Sequence, residues 1–255
     1  MLLSGQDLGG AVASGVAAPD VSIVVPCFDE AHRLDSCFEG LDRARRALGV
    51  ASEVLIVDDG SRDATAEIAE AHAAARADVR VLREPHRGKG GAVRAGVLAA
   101  RGAWVVMADA DWSLDPEDLG ALLPPCAPDA DVVIASREHT GAHRFDEPEH
   151  RHLMGRVFNR LVQVLVLPGV QDSQCGYKAF RQPSARALFE ALETVGWAFD
   201  VEVIARAQKE GLRIVTVPVA WRWRADSRVR HVRDTLAMSL DVWRIRGRMR
   251  RKTPR

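Results

Sequence analysis

Several features are scarce in this 255-residue chain, and each scarcity narrows what it does. Aromatic residues make up only 5%, with a single tyrosine. That leaves too few rings for the interleaved stacking platforms of single-stranded nucleic-acid binders. The four cysteines, Cys27, Cys37, Cys126 and Cys175, form no Cys-x-x-Cys pair. Neither a disulfide scaffold nor a cysteine-rich zinc site fits them, and a reduced, cytoplasmic protein is expected. No apolar run approaches the roughly 20 residues that span a bilayer; the longest candidate, near Leu161–Leu167, falls far short. The formal net charge is zero, so no single-signed field covers the whole molecule. There is no G-x-x-x-x-G-K-[ST] loop and no G-x-G-x-x-G after the first apolar run, which argues against P-loop hydrolases and dinucleotide-dependent dehydrogenases.

What is present suits one large α/β domain. Hydrophobic residues make up 47% of the chain, ample for a sizeable core. The Ala and Arg richness reads as the bias of a GC-rich bacterial genome. Residues 1–20, rich in Gly and Ala and lacking a basic start, read as a flexible leader and not a secretory signal. From Trp221 onward, twelve basic side chains face three acidic ones, a local surplus of nine. Such a basic end is expected to meet an anionic partner.

Apolar periodicity sets the elements. The runs 21–25, 54–57, 79–82 and 104–108 are short and continuously apolar, as in strands covered on both faces. Helical spacing fills 33–48, 64–76 and 91–100 between them, with Asp63 placed to cap the second helix. Asp115-Pro116 then opens another helix. Alternation of strand and helix predicts a mostly parallel sheet in a single domain. Ligands of such sheets bind beyond the carboxyl ends of the strands. In the second half, 131–135 and 212–219 read as strands, and 156–167, 199–210 and 229–245 as helices. Residues 138–152 read as a mobile loop, and 170–181 as a polar loop and turn.

Four segments at strand ends carry chemistry. Asp109-Ala110-Asp111 follows the fourth strand. Residues i and i+2 of an extended segment point the same way, and two like charges side by side call for a cation. Hard oxygen donors suit Mg²⁺ or Mn²⁺, which would bridge to a diphosphate. Asp58-Asp59-Gly60 ends the second strand; one carboxylate is free to meet a nucleoside while the other caps the turn. Pro26-Cys27-Phe28-Asp29-Glu30 ends the first, with Phe28 available to stack and Glu30 to pair with Arg33 or a ligand. Arg87-Gly88-Lys89-Gly90-Gly91 opens a helix, where glycines, a helix N-terminus and Lys89 favour an anion.

In order, VSIVVPCFDE, LIVDDGSRDAT, HRGKGGAVRAG and VVMADADWS resemble the family 2 glycosyltransferases, which have the GT-A fold, a three-layer Rossmann-like sandwich. Asp172-Ser-Gln-Cys-Gly-Tyr-Lys-Ala-Phe180 and Trp197-Ala-Phe-Asp-Val-Glu202 resemble the dolichyl-phosphate β-glucosyltransferase branch, a relative of the polyprenyl-phosphate mannose synthases. The resemblance implies that Pro26, Phe28, Glu30, Asp58 and Asp59, with Lys89 nearby, hold the nucleotide sugar. It also implies that Asp109 and Asp111 hold metal and diphosphate. Arg137, Arg156 and Arg228 match positions that meet an acceptor phosphate, although Arg228 stands where relatives carry Lys, which alters the geometry. Asp172, Gln174 and Lys178 form a candidate acceptor or sugar loop.

The acceptor decides the mechanism. An alcohol needs a base, and Asp200 is placed for it. A lipid monophosphate is already ionised, its second pKa being about 6, and needs none. Val229, Val232, Leu236, Leu240 and Trp243 fall on one helical stripe flanked by arginines, as in helices that lie on anionic membranes. The expectation is therefore a domain over 21–225, with a nucleotide-sugar half (21–115) and an acceptor half (116–225), followed by a basic helix and tail over 226–255. It is an inverting, metal-dependent transfer of a hexose, from UDP-glucose ahead of GDP-mannose, to polyprenyl phosphate at the cytoplasmic membrane face. Transfer to a soluble or glycolipid hydroxyl with Asp200 as base is an alternative. A non-catalytic nucleotide-sugar binder is opposed by the intact D-x-D. A nucleic-acid partner is not expected, because the basic surface is confined to the tail.

Overall fold

The computed structural model describes residues 18–224 and 231–250. Three neighbouring strands, β1 (Val21–Cys27), β2 (Ser52–Asp58) and β3 (Val79–Arg83), alternate with helices α1 (Leu34–Leu48), α2 (Thr65–Ala74) and α3 (Lys89–Ala99). The strand β4 (Trp104–Met107) follows, then a short 3-10 helix over Pro116–Leu122. β1 and β2 are buried along almost their whole length, which is why their sequences do not alternate. Asp115 caps the 3-10 helix by accepting from Glu117 N, with Pro116 in its first turn. Asp63 Oδ1 accepts from Thr65 N at 3.0 Å and so satisfies the start of α2.

The second half departs further from expectation. β5 (Val132–Ser136) and β8 (Ile214–Pro218) are strands as expected, and α6 (Phe199–Lys209) is a helix. The supposed loop 138–152 contains strand β6 (His143–Phe145) and the first turn of α4 (Glu149–Leu165). Pro148 precedes that helix and ends the extended chain. The supposed loop 170–181 ends in strand β7 (Lys178–Arg181), which runs directly into α5 (Gln182–Glu190). β9 (Ala220–Arg222) pairs in parallel with β6, forming a small second sheet. The last helix, α7, spans His231–Arg250.

The main sheet has the order β3-β2-β1-β4-β7-β5-β8. All neighbours are parallel except β7, which lies antiparallel between β4 and β5. One core packs α1, α2 and the 3-10 helix on one face. The other packs α3 to α7 on the opposite face. α7 lies on α4 and α6 and contributes Val242 and Ile245, both fully buried. This packing face differs from the stripe picked out in the sequence: Leu236, Leu240 and Trp243 are 64%, 60% and 59% exposed. Among the described residues no helix is long and apolar enough to cross a membrane.

Candidate active site

The carboxyl ends of β1, β2 and β4 and the N-terminus of α3 converge on one edge of the sheet. Residue 29 takes a left-handed backbone (φ 50°) as the chain leaves β1. Asp29 accepts from Arg62 N at 2.7 Å, and its own N–H donates to Ser61 Oγ at 2.8 Å. The two tips are thus laced together. Glu30 pairs with Arg33 at 2.9 Å, one of the two partners expected for it.

The Asp58-Asp59 pair is committed to the backbone at both residues, unlike the expectation that one carboxylate would stand free. Asp58 accepts from Ser61 N and closes the turn. Asp59 accepts from Arg87 N and Gly88 N, each at 2.9 Å, and so fixes the start of α3. His86 Nδ1 lies 2.8 Å from Asp59 Oδ2, and its ring stacks on Phe28 with centroids 4.2 Å apart. His86 was not singled out in the sequence; its place between β3 and the glycine-rich turn was the available signal. Gly88 has φ 103°, and a Cβ there would lie 2.8 Å from Val195 O, so the turn admits only glycine.

Lys89 Nζ lies 2.6 Å from Asp109 Oδ1 and 5.5 Å from the centre of the Trp197 ring. Burial alone lowers a lysine pKa, but the carboxylates of Asp109 and Asp200 outweigh it and raise that of Lys89. Asp111 is raised, first by burial and then by repulsion from Asp109; Ser113 partly offsets this by donating through its N and Oγ. Trp112 follows with φ 46°, an outlier for so bulky a residue. Its ring is buried and its Nε1 donates to Cys37 O at 2.9 Å, which holds the strained turn in place. Among the described residues no group of three His, Cys, Asp or Glu is placed to hold a metal. Two carboxylates alone still suit a Mg²⁺-type ion, which takes its remaining oxygens from substrate phosphates and water.

The acceptor-side residues fall into two buried ion pairs. Arg137 donates through Nε and Nη2 to both oxygens of Asp172, at 2.8 and 2.9 Å, and lies over the Trp221 ring. Burial opposes the charge of Asp172, but Arg137 prevails and holds the carboxyl well below its usual range. Lys178, fully buried on β7, pairs with Asp200 at 2.7 Å and donates to Cys175 O at 2.5 Å. Burial raises Asp200, and Lys178 only partly counters it. Asp172 and Lys178, both expected in an acceptor or sugar loop, are therefore buried and paired with Arg137 and Asp200. Gln174 is half-buried, its N–H donating to Asp172. Arg156 is exposed on α4, and Arg228 lies outside the described residues. A cavity of about 440 Å³ opens beside Asp111, lined also by Ser113, Glu39, Arg43, Arg222 and Arg224. The last two arginines were missed; the alternation Trp221-Arg-Trp-Arg224 was their only sequence signal.

Comparisons with known proteins agree with this architecture. A profile described as glycosyl transferase family 2 matches residues 22–189. A dolichyl-phosphate beta-glucosyltransferase of Dictyostelium discoideum is 31% identical over 242 residues, covering 89% of this chain and 74% of its own. The enzyme of the same description from Homo sapiens is 33% identical over 243 residues, covering 89% and 75%. Among solved structures, glucosyl-3-phosphoglycerate synthase of Mycobacterium tuberculosis with Mn²⁺, UDP and glucosyl-3-phosphoglycerate has a TM-score of 0.65 at 21% identity, over 91% of this chain and 80% of that one. A mannosyltransferase of Pyrobaculum calidifontis with GDP-Man and Mn²⁺ gives 0.60 at 20%, over 94% and 67%. At such identity these structures share the GT-A fold with this chain. The protein belongs to the family 2 glycosyltransferases.

Proposed function

We propose that this glycosyltransferase moves a hexose from a nucleotide sugar, UDP-glucose before GDP-mannose, to a polyprenyl phosphate, inverting the anomeric centre. The names of its relatives support the acceptor and the glucose. The observation that carries the reading is the state of Asp200. Its carboxylate is 4% exposed and ion-paired with Lys178, which leaves little of it open to an acceptor hydroxyl, although burial raises its pKa. A phosphate acceptor needs no such base.

Phe28, Asp58, Asp59 and Glu30 would meet the nucleoside, and the start of α3 with Lys89 would meet the diphosphate. Asp109 and Asp111 would hold Mg²⁺ or Mn²⁺. When bound, the ion neutralises the charge that develops on the leaving diphosphate. Lys89 adds a second positive charge there, because diphosphate competes with Asp109 for its ammonium. Arg137, made rigid by Asp172, holds the acceptor phosphate in line. A phosphate oxygen then bonds to the anomeric carbon as the bond to the diphosphate breaks, and the leaving group keeps the electron pair.

The acceptor is a lipid, and the surface fits one. Neighbouring α4 and α7 turn Leu153, Val157 and Val164, and Leu236, Leu240 and Trp243, to solvent. Exposed Arg156, Arg160, Arg244 and Arg250 accompany them. Apolar stripes edged with arginine suit an anionic membrane face, taken here to be the cytoplasmic one. Incubation with labelled UDP-glucose or GDP-mannose, with and without polyprenyl phosphate, followed by organic extraction, tests the reading. Label should enter the organic phase only with the lipid, and more from UDP-glucose. Label confined to water-soluble product rejects the lipid acceptor.

A further inference from the structure

The antiparallel strand β7 does more than fill the sheet. Met107 pairs with Lys178 and Val106 with Ala179. Continued past the strand ends, this register sets residue 177 opposite 108 and Gly176 opposite Asp109. The backbone before β7 therefore runs directly beside the D-x-D turn. A Cβ built on Gly176 would lie 1.9 Å from Asp109 Oδ2, 2.6 Å from Cγ and 2.9 Å from Oδ1. The next residue braces the same turn: Tyr177, fully buried, accepts from Leu114 N through its hydroxyl at 3.3 Å. On the open side, Lys89 Nζ holds Asp109 Oδ1 at 2.6 Å. The Asp109 carboxylate is thus confined between an ammonium and a wall of bare backbone.

We propose that Gly176 is a positioning residue: the absence of a side chain there sets where the Asp109 carboxylate stands. This rests on the reading of Asp109 and Asp111 as metal ligands. A methyl group at 176 would force Oδ2 back from 1.9 to at least 3.0 Å, a retreat of 1.1 Å. Metal–oxygen distances tolerate only about 0.2 Å. The displaced group is the end of a side chain and not backbone, so the fold accepts the change at a modest cost in stability while the site loses its geometry.

The test is a Mn²⁺ titration in the presence of UDP, read by the EPR signal of free Mn²⁺. Gly176→Ala should weaken Mn²⁺ binding about 10–100-fold, the range seen when the support of a metal ligand is removed. A folded variant binding within twofold of wild type overturns the proposal. Should Gly176→Ala fail to fold, the same change in an Asp109→Ala background decides. Recovered folding places the clash at Asp109, whereas continued failure refutes it. If wild type itself binds no Mn²⁺ with UDP, the metal reading fails separately. The two backgrounds are then compared by Tm in EDTA. A drop of about 2–4 °C, equivalent to about 1 kcal/mol in a chain of this size, confined to the Asp109 background supports the proposal. An equal drop in both backgrounds, or none, ends it.

Discussion

Replacing Lys178 by Met tests whether Asp200 is a counter-ion or a base. Lys178 is fully buried and Asp200 is 4% exposed, with 2.7 Å between charged atoms. Met keeps most of the side-chain volume, so little cavity cost arises and the loss is electrostatic. Breaking one side of a buried pair costs about 3–5 kcal/mol, because the remaining charge stays desolvated. At about 2–4 °C per kcal/mol, Tm should fall by roughly 6–20 °C. Asp200→Asn should also lower Tm, by less, since Lys178 keeps the Cys175 carbonyl as an acceptor. Changing both residues together, Lys178→Met with Asp200→Leu, should recover much of the loss, as removal of whole buried pairs does. The measurement is a thermal melt of all four proteins alongside kcat against pH. The reasoning is wrong if Asp200→Asn melts like wild type yet loses about 10²–10⁴ in kcat together with an ionisation in the pH profile. That pattern belongs to a general base.

Four further outcomes follow from the same structure. Asp172→Asn should destabilise the protein by about 3–5 kcal/mol at neutral pH by stranding Arg137. Because Asp172 is depressed in the fold, its contribution is present above the ordinary value of 3.8 and is lost in more acid solution. The Tm gap to wild type should therefore be full above about pH 4 and narrow progressively as the solution becomes more acid; a constant gap across pH argues against the ion pair as its source. Asp111 is raised above its ordinary 3.8, and metal ligation requires it ionised. Apparent Mn²⁺ affinity in the UDP complex should thus begin to fall at a higher pH than for an ordinary carboxylate. Asp109→Asn with Asp111→Asn should abolish metal-dependent transfer, and an active double variant removes the site assignment. Finally, Leu240→Glu with Trp243→Glu should change folding stability by no more than about 0.5 kcal/mol, since both are exposed. Vesicle binding should weaken about 10²-fold or more, from about 1.5–3 kcal/mol of burial lost per side chain. Unchanged partitioning on anionic vesicles assigns the stripe elsewhere.

The parallel half was legible because each signal there is local. Continuous apolar runs mark β1, β2 and β4, and acidic or glycine-rich turns sit at their ends. β7 was not legible for the opposite reason. Its four residues begin with Lys and end with Arg, a pattern that reads as surface. Lys178 is buried only because Asp200, contributed by α6, reaches it. Nothing within a few residues reveals that partner. α5 follows β7 without a turn, and its residues 182–190 were assigned to no element. β6 and β9 span three residues each, too short for alternation to register. The amphipathic reading of α7 picked out Leu236, Leu240 and Trp243, which are exposed, but could not know that Val242 and Ile245, on another face, bind the helix to the domain.

Charge placement explains why the cleft is poised for a cation and not merely acidic. Three carboxylates, Asp109, Asp111 and Asp200, surround two ammonium groups, Lys89 and Lys178. Lys178 is committed to Asp200 in the interior. Lys89 is held by Asp109, and Asp111 relies on Ser113 for its contacts. One negative charge is therefore left over, and it is the one whose ionisation burial and Asp109 already oppose. A divalent ion held by Asp109 and Asp111 would relieve the repulsion and free Lys89 for the diphosphate. Diphosphate arriving without the ion would meet two carboxylates and a single ammonium. Like-charge repulsion in a poorly solvated site disfavours that state, so metal and nucleotide should bind with positive coupling. Lys89 has the reach for this exchange because Gly88 and Gly90 let α3 begin close against the Val195 carbonyl. The same glycine-rich turn that the sequence marked as a phosphate cradle thus also sets which cation guards Asp109 before the donor arrives.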